Sequence, residues 1–451
     1  MYRALLAVAL AAGVTYFVAG ARSPLFPSSE GAAQAPPSQR AAQPPTRNVQ
    51  ATPLYDRDAE HIWNRLDRQL RVRTARGGAT YGADNLDPLL WAETRHLLTP
   101  PSHAATLAVL DEFLTAHAER LVRDPVRRAV FQRDLWAVFD WTVSRADTHP
   151  AARHELAQRL ARIIRRVALP PNEIAALPDT YSASLAGARY PTAYDPGHRD
   201  RAFLPAALSD SAGPWIPIHG SVPVEQHNFE MSRSSFRVLI NLPGGRAATL
   251  AHLKRLWNAQ EPFVVDRTGS FGGETRTILN PALQALPPGT HIALVRRMLV
   301  IDSAGDIRQT PIVESVQMRV FRQAEPCRTV ICGHNDQDFF EFVLSRAGLF
   351  SSAASGVRAV EPDEEGFLTF SSHGIDHFEP EAGDRLIAPM QMCVNCHHEP
   401  GLASVRSSRR LFRPYTFADG GGPAGDGMPE MWKSWRADWG YLQALWQSEP
   451  R

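Results

Sequence analysis

The chain has 451 residues, of which 44% are hydrophobic and 21% charged, and its formal net charge at pH 7 is +1. This length is sufficient for two or three domains, and the composition is that of a globular protein rather than a disordered or fibrous one. The 48 Lys and Arg residues nearly balance the 47 Asp and Glu residues, so the chain has no overall charge that would attract nucleic acid. We therefore expect no nucleic-acid partner.

Residues 1–21 have the pattern of a secretory signal peptide. Arg3 precedes an apolar run that ends at Ala19, and the small residues Ala-Gly-Ala at 19–21 form a cleavage site of the A-x-A type. This pattern predicts a periplasmic or secreted protein. The alternative is an uncleaved membrane tether, because the run approaches the ~18 apolar residues that span a bilayer.

Residues 22–53 are rich in Pro, Ala, Gln and Ser and have no periodic apolar face. Such a composition is typical of a flexible linker. We interpret this segment as the connection between the signal peptide and the folded part of the protein.

Residues 54–190 predict a helical domain. In its first helix three apolar residues recur four positions apart: Ile62, Leu66 and Leu70. Asp124 and Pro125 supply an N-cap and a proline at the first helical position. A later helix has an apolar stripe that ends before two prolines: Leu156, Leu160, Ile163, Ile164 and Val167.

Residues 191–383 predict an α+β domain. "SSFRVLINLPGG" indicates a strand that ends in a turn, and "RAATLAHLKRLW" indicates a helix. Further on, Val316, Met318 and Val320 alternate with Gln317, Arg319 and Phe321, which predicts a strand with one buried and one exposed face. "DFFEFVLSRAGLF" predicts a short helix. With the C-terminal segment 384–451, the expected fold class is α+β multidomain.

The C-terminal segment contains Cys393-Val394-Asn395-Cys396-His397, which has the C-x-x-C-H spacing. Covalent haem attachment needs two thiols that reach both vinyl groups of one porphyrin, and an adjacent imidazole that binds the iron. Two intervening residues and a following histidine provide this arrangement, and export leads to the compartment where covalent haem is assembled. The motif therefore predicts a haem c.

This pentapeptide resembles the haem-attachment site of c-type cytochromes. The resemblance implies thioether bonds from Cys393 and Cys396, and His397 as the proximal iron ligand. In such proteins a methionine followed by proline is often the sixth ligand, and Met428-Pro429 has this pattern. Other candidates for the sixth ligand follow, with the histidines ranked before the methionines: His373, His377, Met390 and Met392. Residues before the motif contain several glycines and prolines, which departs from the helix that precedes it in small cytochromes.

The four cysteines also permit readings without haem. Cys327, Cys332, Cys393 and Cys396 together have spacings compatible with a four-thiolate zinc site. Cys327 and Cys332 are also candidates for a disulfide under any function, and the C-x-x-C pair for a redox-active disulfide. The sequence leaves these pairings open.

The last part of the chain has an aromatic stripe at the helical spacing of three and four residues: Trp432, Trp435, Trp439, Leu442 and Trp446. These residues share one face of a predicted helix. Such a face packs either on the protein core or over a haem, and the spacing is the same in both cases.

Taken together, these patterns predict an exported single-haem c-type protein for electron transfer or for redox or ligand sensing. The alternative is an exported structural or interaction protein whose cysteines form disulfides or a zinc site. The sequence identifies no redox partner protein and no catalytic residues. If the chain is an enzyme, the prediction is a haem-dependent oxidoreductase.

Overall fold

The computed structural model describes the following residues: 54–74, 80–81, 96–144, 148–206, 208, 210–219, 233–258, 263–266, 276–280, 282, 286–322, 337–351, 357–361, 364, 366–367, 386–387, 416–417 and 437–448. Residues Arg47–Arg451 belong to one compact unit, and Met1–Thr46 form another unit, which lies wholly outside the described residues. The predicted signal peptide and linker therefore fall outside them. The described part contains helices and an antiparallel sheet, which confirms the α+β class.

Nine α-helices are described: α1 Ile62–Arg71, α2 Ser102–Thr115, α3 Pro125–Ser144, α4 Pro150–Arg166, α5 Pro171–Ala175, α6 Thr180–Ala186, α7 Gly245–Trp257, α8 Arg346–Phe350 and α9 Ala437–Ser448. Asp124 Oδ1 accepts a hydrogen bond from the Val126 amide at 2.9 Å, which confirms the predicted cap of α3. Pro170 follows the end of α4, and Pro171 begins α5. Of the described residues, no helix is sufficiently long and apolar to cross a membrane.

The described strands are β1 Arg73–Thr74, β2 Thr80–Tyr81, β3 Ile216–His219, β4 Ser234–Asn241, β5 Phe263–Asp266, β6 Arg276–Leu279, β7 His291–Ile301, β8 Ile307–Phe321, β9 Gln337–Leu344, β10 Val357–Ala359, β11 Gly366–Phe367, β12 Leu386–Ile387 and β13 Thr416–Phe417. Seven of them form one antiparallel sheet in the order β10-β9-β8-β7-β4-β3-β13. The long hairpin β7–β8 lies at its centre, and Gly305 adopts φ 94° in the turn, a conformation that favours glycine.

The helices α1, α2, α3, α4 and α9 form a layer around one hydrophobic core. Trp63 is central to it: its ring stacks on Phe131 with the centroids 4.2 Å apart, and its Nε1 donates to the Ala118 carbonyl at 2.7 Å. The buried residues at the end of β7, Leu299 and Ile301, belong to the same core. The helical layer and the sheet therefore share apolar contacts.

Gln132 joins helix α3 to strand β7. Its side-chain amide donates to the Ile301 carbonyl at 2.7 Å and accepts from the Ile301 amide at 2.9 Å. Because both groups of the side-chain amide are satisfied by one residue of the strand, this contact fixes the position of the helix along the strand. Helix α3 is thus attached directly to strand β7.

The strand register separates two faces of the sheet. The first face carries Leu239, Ala293, Met318 and Phe340 across β4, β7, β8 and β9, and it packs with residues of α3, α5 and α6. The second face carries Ile240, Ile292, Arg319 and Phe339 across the same strands. Helix α7 packs on one end of this second face, through Leu250 and Leu253.

Two sequence predictions in this region need correction. The helix predicted over "DFFEFVLSRAGLF" is confirmed only in its last part, where Arg346–Phe350 form α8. The first part, "DFFEFVL", lies in β9, because its apolar residues alternate and side chains such as Phe340 and Phe342 are buried on the first face. Phe321 and Arg319 were expected on an exposed face, but both are buried. Phe321 is covered by α7, so the sheet is buried on both faces at this end.

Candidate functional site

The haem-site residues predicted from the sequence lie outside the described residues: Cys393, Cys396, His397, Met428, His373 and His377. The same holds for Cys327, Cys332, Met390 and Met392. Described elements lie before and after the segments that contain these residues. The cysteine motif follows β12 and precedes β13, and Met428 lies between β13 and α9.

Strand β13 attaches the C-terminal segment to the edge of the main sheet. Thr416 pairs with His219, and Phe417 pairs with Ile218. The motif that ends at His397 is therefore connected to a fixed sheet edge by residues 398–415. Met428 is connected to the same edge by residues 418–427.

Helix α9 attaches the other end of this segment to the helical layer. Leu442 is fully buried in the helical core, and the Trp439 ring lies 5.8 Å from the Trp136 ring of α3. Arg165 of α4 donates to the Trp446 carbonyl at 2.6 Å. Three residues of the predicted aromatic stripe thus pack on the protein core, whereas Trp432 and Trp435 lie outside the described part.

A cluster of charged residues, all but one of them buried, lies between the helical layer and the sheet. We call it the charge cluster, and its buried members are Asp67 and Arg71 of α1, Arg133 and Asp134 of α3, Glu314 of β8 and Arg346 of α8. The partly buried Arg296 of β7 completes it. Charged side chains are rarely buried unless they are paired. The helices and strands of the cluster must therefore pack so that each buried charge lies beside one of opposite sign.

Asp134 is the carboxylate at which α1, α3 and α8 meet. Arg71 approaches it at 2.7 Å, and Arg346 Nη2 donates to its Oδ1 at 2.8 Å while Nη1 donates to Oδ2. Burial raises the pKa of Asp134 to about 7, whereas the neighbouring Arg71 and Arg133 act to lower it. Burial thus favours the protonated form of this carboxyl group, and the guanidinium groups around it favour the carboxylate.

Glu314 brings the charge cluster into the sheet. The register of β7 and β8 shifts beside Arg296 and Arg297, and Glu314 lies between the paired residues Val313 and Ser315. Such a β-bulge redirects a side chain out of the alternation of the strand. Glu314 pairs with Arg133 at 2.6 Å and with Arg296 at 3.2 Å.

Two polar residues at the start of β4 extend this arrangement. The Ser234 hydroxyl donates to Glu314, and Arg233, directly before the strand, pairs with the buried Asp140 of α3. The hydroxyl and the guanidinium are thus each matched by a carboxylate. The arrangement is therefore suited to holding α3, β4 and β8 together rather than to accepting a ligand.

The charge cluster was not predicted from the sequence. The available signal was Arg133-Asp134, which stands within the otherwise apolar helix sequence "VFQRDLWAVF", where almost every residue is buried. Partners from α1, β8 and α8 are distant in the sequence, so no local pattern could identify them. The sequence shows charged residues on a buried helix, but only the fold brings their partners together.

His252 of α7 is a further titratable group that is buried. Its Nδ1 accepts a hydrogen bond from Arg255 at 2.8 Å. Burial, together with the charge of Arg255, lowers the pKa of His252 to about 4. The side chain is therefore neutral at physiological pH and acts as an acceptor.

Within the described part of the chain, no three His, Cys, Asp or Glu residues are grouped as a metal site. No protein-family profile matches the chain, and neither a curated protein nor a solved structure is significantly similar to it.

Proposed function

We propose that this chain is an exported single-haem c-type protein that transfers electrons or senses a redox state or a small ligand. The observation that carries this proposal is the C-x-x-C-H sequence at Cys393, Cys396 and His397. The N-terminal pattern of residues 1–21 supports it, because it predicts export to the compartment where covalent haem is assembled.

The donor set fits a covalently attached haem. The two thiols of Cys393 and Cys396 are separated by two residues, and each would add across one vinyl group, with sulfur bonding one carbon and hydrogen the other. The His397 imidazole would bind the iron, and Met428 is the leading candidate for a second iron ligand from the chain. When bound, the haem would supply a one-electron redox centre or a site for a gaseous ligand.

Described elements flank the cysteine motif and Met428 along the chain. Strand β13 and helix α9 attach the chain on either side of Met428, and β12 and β13 lie on either side of the cysteine motif. These elements give the motif fixed points of attachment on the folded protein.

The test is expression in a host that matures c-type cytochromes. The mature protein should retain haem in denaturing electrophoresis, and its mass should exceed that of the polypeptide by the mass of one haem. Replacing both Cys393 and Cys396 with serine should abolish haem retention, whereas the matched change of Cys327 and Cys332 should preserve it.

A colourless protein whose mass equals that of its amino acids would overturn the proposal. Zinc in that protein would instead favour the structural reading of the four cysteines. Sequencing of the mature N-terminus should locate residue 22 at the start of the chain, and retention of residue 1 would indicate a membrane tether.

A further inference from the structure

Residues 191–204, called here the flap, cover one end of the first face of the sheet. The flap lies between α6 and β3, and all of its residues are described without forming a helix or a strand. Its two ends lie together, because the Leu204 amide donates to the Pro191 carbonyl at 2.8 Å. A loop of this kind is an Ω-loop, which is compact and frequently functional.

The point where the flap joins the fold is fixed on both sides. Before it, the Tyr190 hydroxyl accepts a hydrogen bond from the Ala359 amide at 2.8 Å, and the Tyr190 ring lies 4.9 Å from the Phe342 ring. After it, the Pro205 carbonyl accepts a hydrogen bond from the Tyr181 hydroxyl of α6. The flap can therefore move about this point while the helices and strands stay in place.

The outer part of the flap is held together by its own contacts. Asp195 pairs with His198 at 2.7 Å and accepts a hydrogen bond from the Gly197 amide at 2.8 Å. The Arg201 amide donates to the His198 carbonyl at 3.0 Å. These contacts join residues of the flap to one another, so they are kept when the flap moves as a unit.

Two side chains of the flap hold the carboxylate of Asp338, which is buried at the start of β9. The Tyr194 hydroxyl donates to Oδ2 at 2.5 Å, and Arg199 Nη2 donates to Oδ1 at 2.8 Å. Arg322, directly after β8, approaches the same carboxylate at 3.3 Å. Burial, together with Asp338, raises the pKa of Tyr194 to about 12, so this phenol stays a donor over the physiological pH range.

His291 lies beneath the flap, at the start of β7 on the first face. Three aromatic rings surround its imidazole at centroid distances of 5.6–6.2 Å, the first two from the flap: Phe203, Tyr194 and Trp215. Its cross-strand partners are the uncharged Asn241 and Val320. Among the residues that the structure describes, no carboxylate is paired with this imidazole.

This environment favours the neutral form of the imidazole. Burial lowers the pKa of His291 below its usual value. A protonated imidazole requires water or a carboxylate, and the closed flap surrounds this ring with apolar carbon instead. Protonation of His291 is therefore more favourable when the flap is open and water reaches the ring.

We propose that the flap is a pH-sensitive device, which opens when His291 is protonated and thereby uncovers the aromatic end of the first face at acid pH. Tyr194 and Arg199 leave Asp338 in this step, whereas the joining point at Leu204 and Pro191 and the inner contacts of the flap are kept. The flap thus connects the protonation of one buried imidazole to the exposure of an apolar surface.

The pH range follows from the protonation of His291. An exposed histidine has a pKa of about 6.5 and the closed flap lowers this value, so the closed form is fully favoured above about pH 6.5 and loses stability as the pH falls. Because one proton is linked to opening, the open population rises by up to about tenfold for each pH unit below this value. Asp195 and His198 pair with each other inside the flap, so their titration does not link it to the sheet.

Hydroxyl-radical footprinting of the full-length protein at pH 7.5 and pH 5.0 tests the flap. Phe340 is 7% exposed and lies 5.5 Å from Phe203 and 6.3 Å from Tyr194, so its oxidation reports on the surface beneath the flap. Its oxidation should increase at least about threefold at pH 5.0, against a limit of about thirtyfold for one proton over about 1.5 pH units. Phe131, which is 1% exposed in the helical core, should stay protected at both pH values.

Two variants remove the titrating group without adding a charge. His291→Phe supplies a neutral aromatic ring and His291→Gln a neutral polar side chain, and both should keep Phe340 protected at pH 5.0. His198→Asn is the matched control, because His198 is 71% exposed and is not in contact with the sheet, and it should follow the wild-type protein.

Three results would overturn the proposal: equal oxidation of Phe340 at both pH values in the wild-type protein, an increase that persists in both His291 variants, and a parallel increase at Phe131, which would indicate global unfolding. The measurement uses no property of a haem. Its outcome is therefore separate from that of the proposed function.

Discussion

Arg346 of α8 donates two hydrogen bonds to the carboxylate of Asp134 in α3, from a position 212 residues further along the chain. The same carboxylate is approached by Arg71 of α1. The Asp134 carboxylate and the two guanidinium groups thus connect helices α1, α3 and α8. Because these groups are buried, we expect this contact to stabilise the fold more than an exposed ion pair does.

Replacing Asp134 with alanine should lower the free energy of unfolding by about 3–5 kcal/mol, because it leaves buried guanidinium groups facing a site that has lost its carboxylate. The matched control is Asp111→Ala. Asp111 pairs with Arg159 at 2.7 Å but is 52% exposed, so its loss should cost less than about 1 kcal/mol. Urea unfolding of the three proteins measures the difference.

A double change of Asp134→Leu and Arg346→Met should recover part of the stability lost in Asp134→Ala, because it removes both a buried charge and its partner. Equal losses in Asp134→Ala and Asp111→Ala would show that the charge cluster contributes no more than an exposed ion pair.

The pH dependence of stability should include a contribution from His252. Its pKa is about 4 in the folded protein, against about 6.5 in an unfolded chain, so the unfolded state binds the proton more tightly between these values. This contribution is therefore constant above pH 6.5 and is lost as the pH falls towards 4, by up to about 3 kcal/mol.

Urea unfolding at pH 7.5 and pH 5 measures this effect. His252→Asn should flatten the decline between the two pH values, whereas His117→Asn, at an exposed position, should follow the wild-type protein. A His252→Asn protein with an undiminished decline would assign the pH dependence to other groups.

The packing of α9 on the helical layer predicts a large effect at Leu442. This side chain is fully buried in the helical core, so Leu442→Ala should lower the free energy of unfolding by about 3 kcal/mol. Gly440 in the same helix is the matched position, where a substitution should change the free energy of unfolding in the opposite direction. A methyl group there meets no atom within 4 Å, and Gly440→Ala should raise stability by about 0.5–1 kcal/mol.

Thermal and urea unfolding of both α9 variants provide the measurement. If α9 made no stabilising contact with the core, Leu442→Ala would leave the unfolding midpoint near that of the wild-type protein. The opposite responses of Leu442 and Gly440 separate the effect of packing from the effect of helix propensity.

Under the proposed function, Met428 should influence the visible spectrum of the haem. Met428→Ala would remove a thioether ligand and change both the absorption bands and the reduction potential. Met431, three residues further along, is the matched control, and Met431→Ala should leave the spectrum unchanged. A wild-type spectrum in Met428→Ala would exclude this methionine as a ligand and favour His373 or His377.

The sequence predicted local structure well where one residue or one period determines it. Asp124 and Pro125 begin α3, and all five predicted apolar residues of the next helix are buried, four within α4 and Val167 directly after its end. The sequence prediction was wrong for β9, because a short apolar run is ambiguous between a strand and a buried helix. Pairing with β8 and the alternating burial of Phe340 and Phe342 show that this run is a strand.

The haem motif could be predicted from the sequence, whereas the charge cluster could not. Five adjacent residues state the haem motif directly, because attachment chemistry depends on their spacing. The charge cluster has no such signature, since Asp134 and Glu314 acquire their environment from elements far apart in the chain. Contacts of this kind emerge only when the register of β7 and β8, with its bulge, is known.

Helix α9 has a consequence for the order in which the molecule is completed during synthesis. Trp136 and Phe139 of α3 receive their aromatic partners from residues 437–448, about three hundred positions later. The nascent chain thus carries an unfinished apolar surface on α3 until α9 has been made. Any enzyme that modifies Cys393 and Cys396 before then acts on a polypeptide whose helical core is still open.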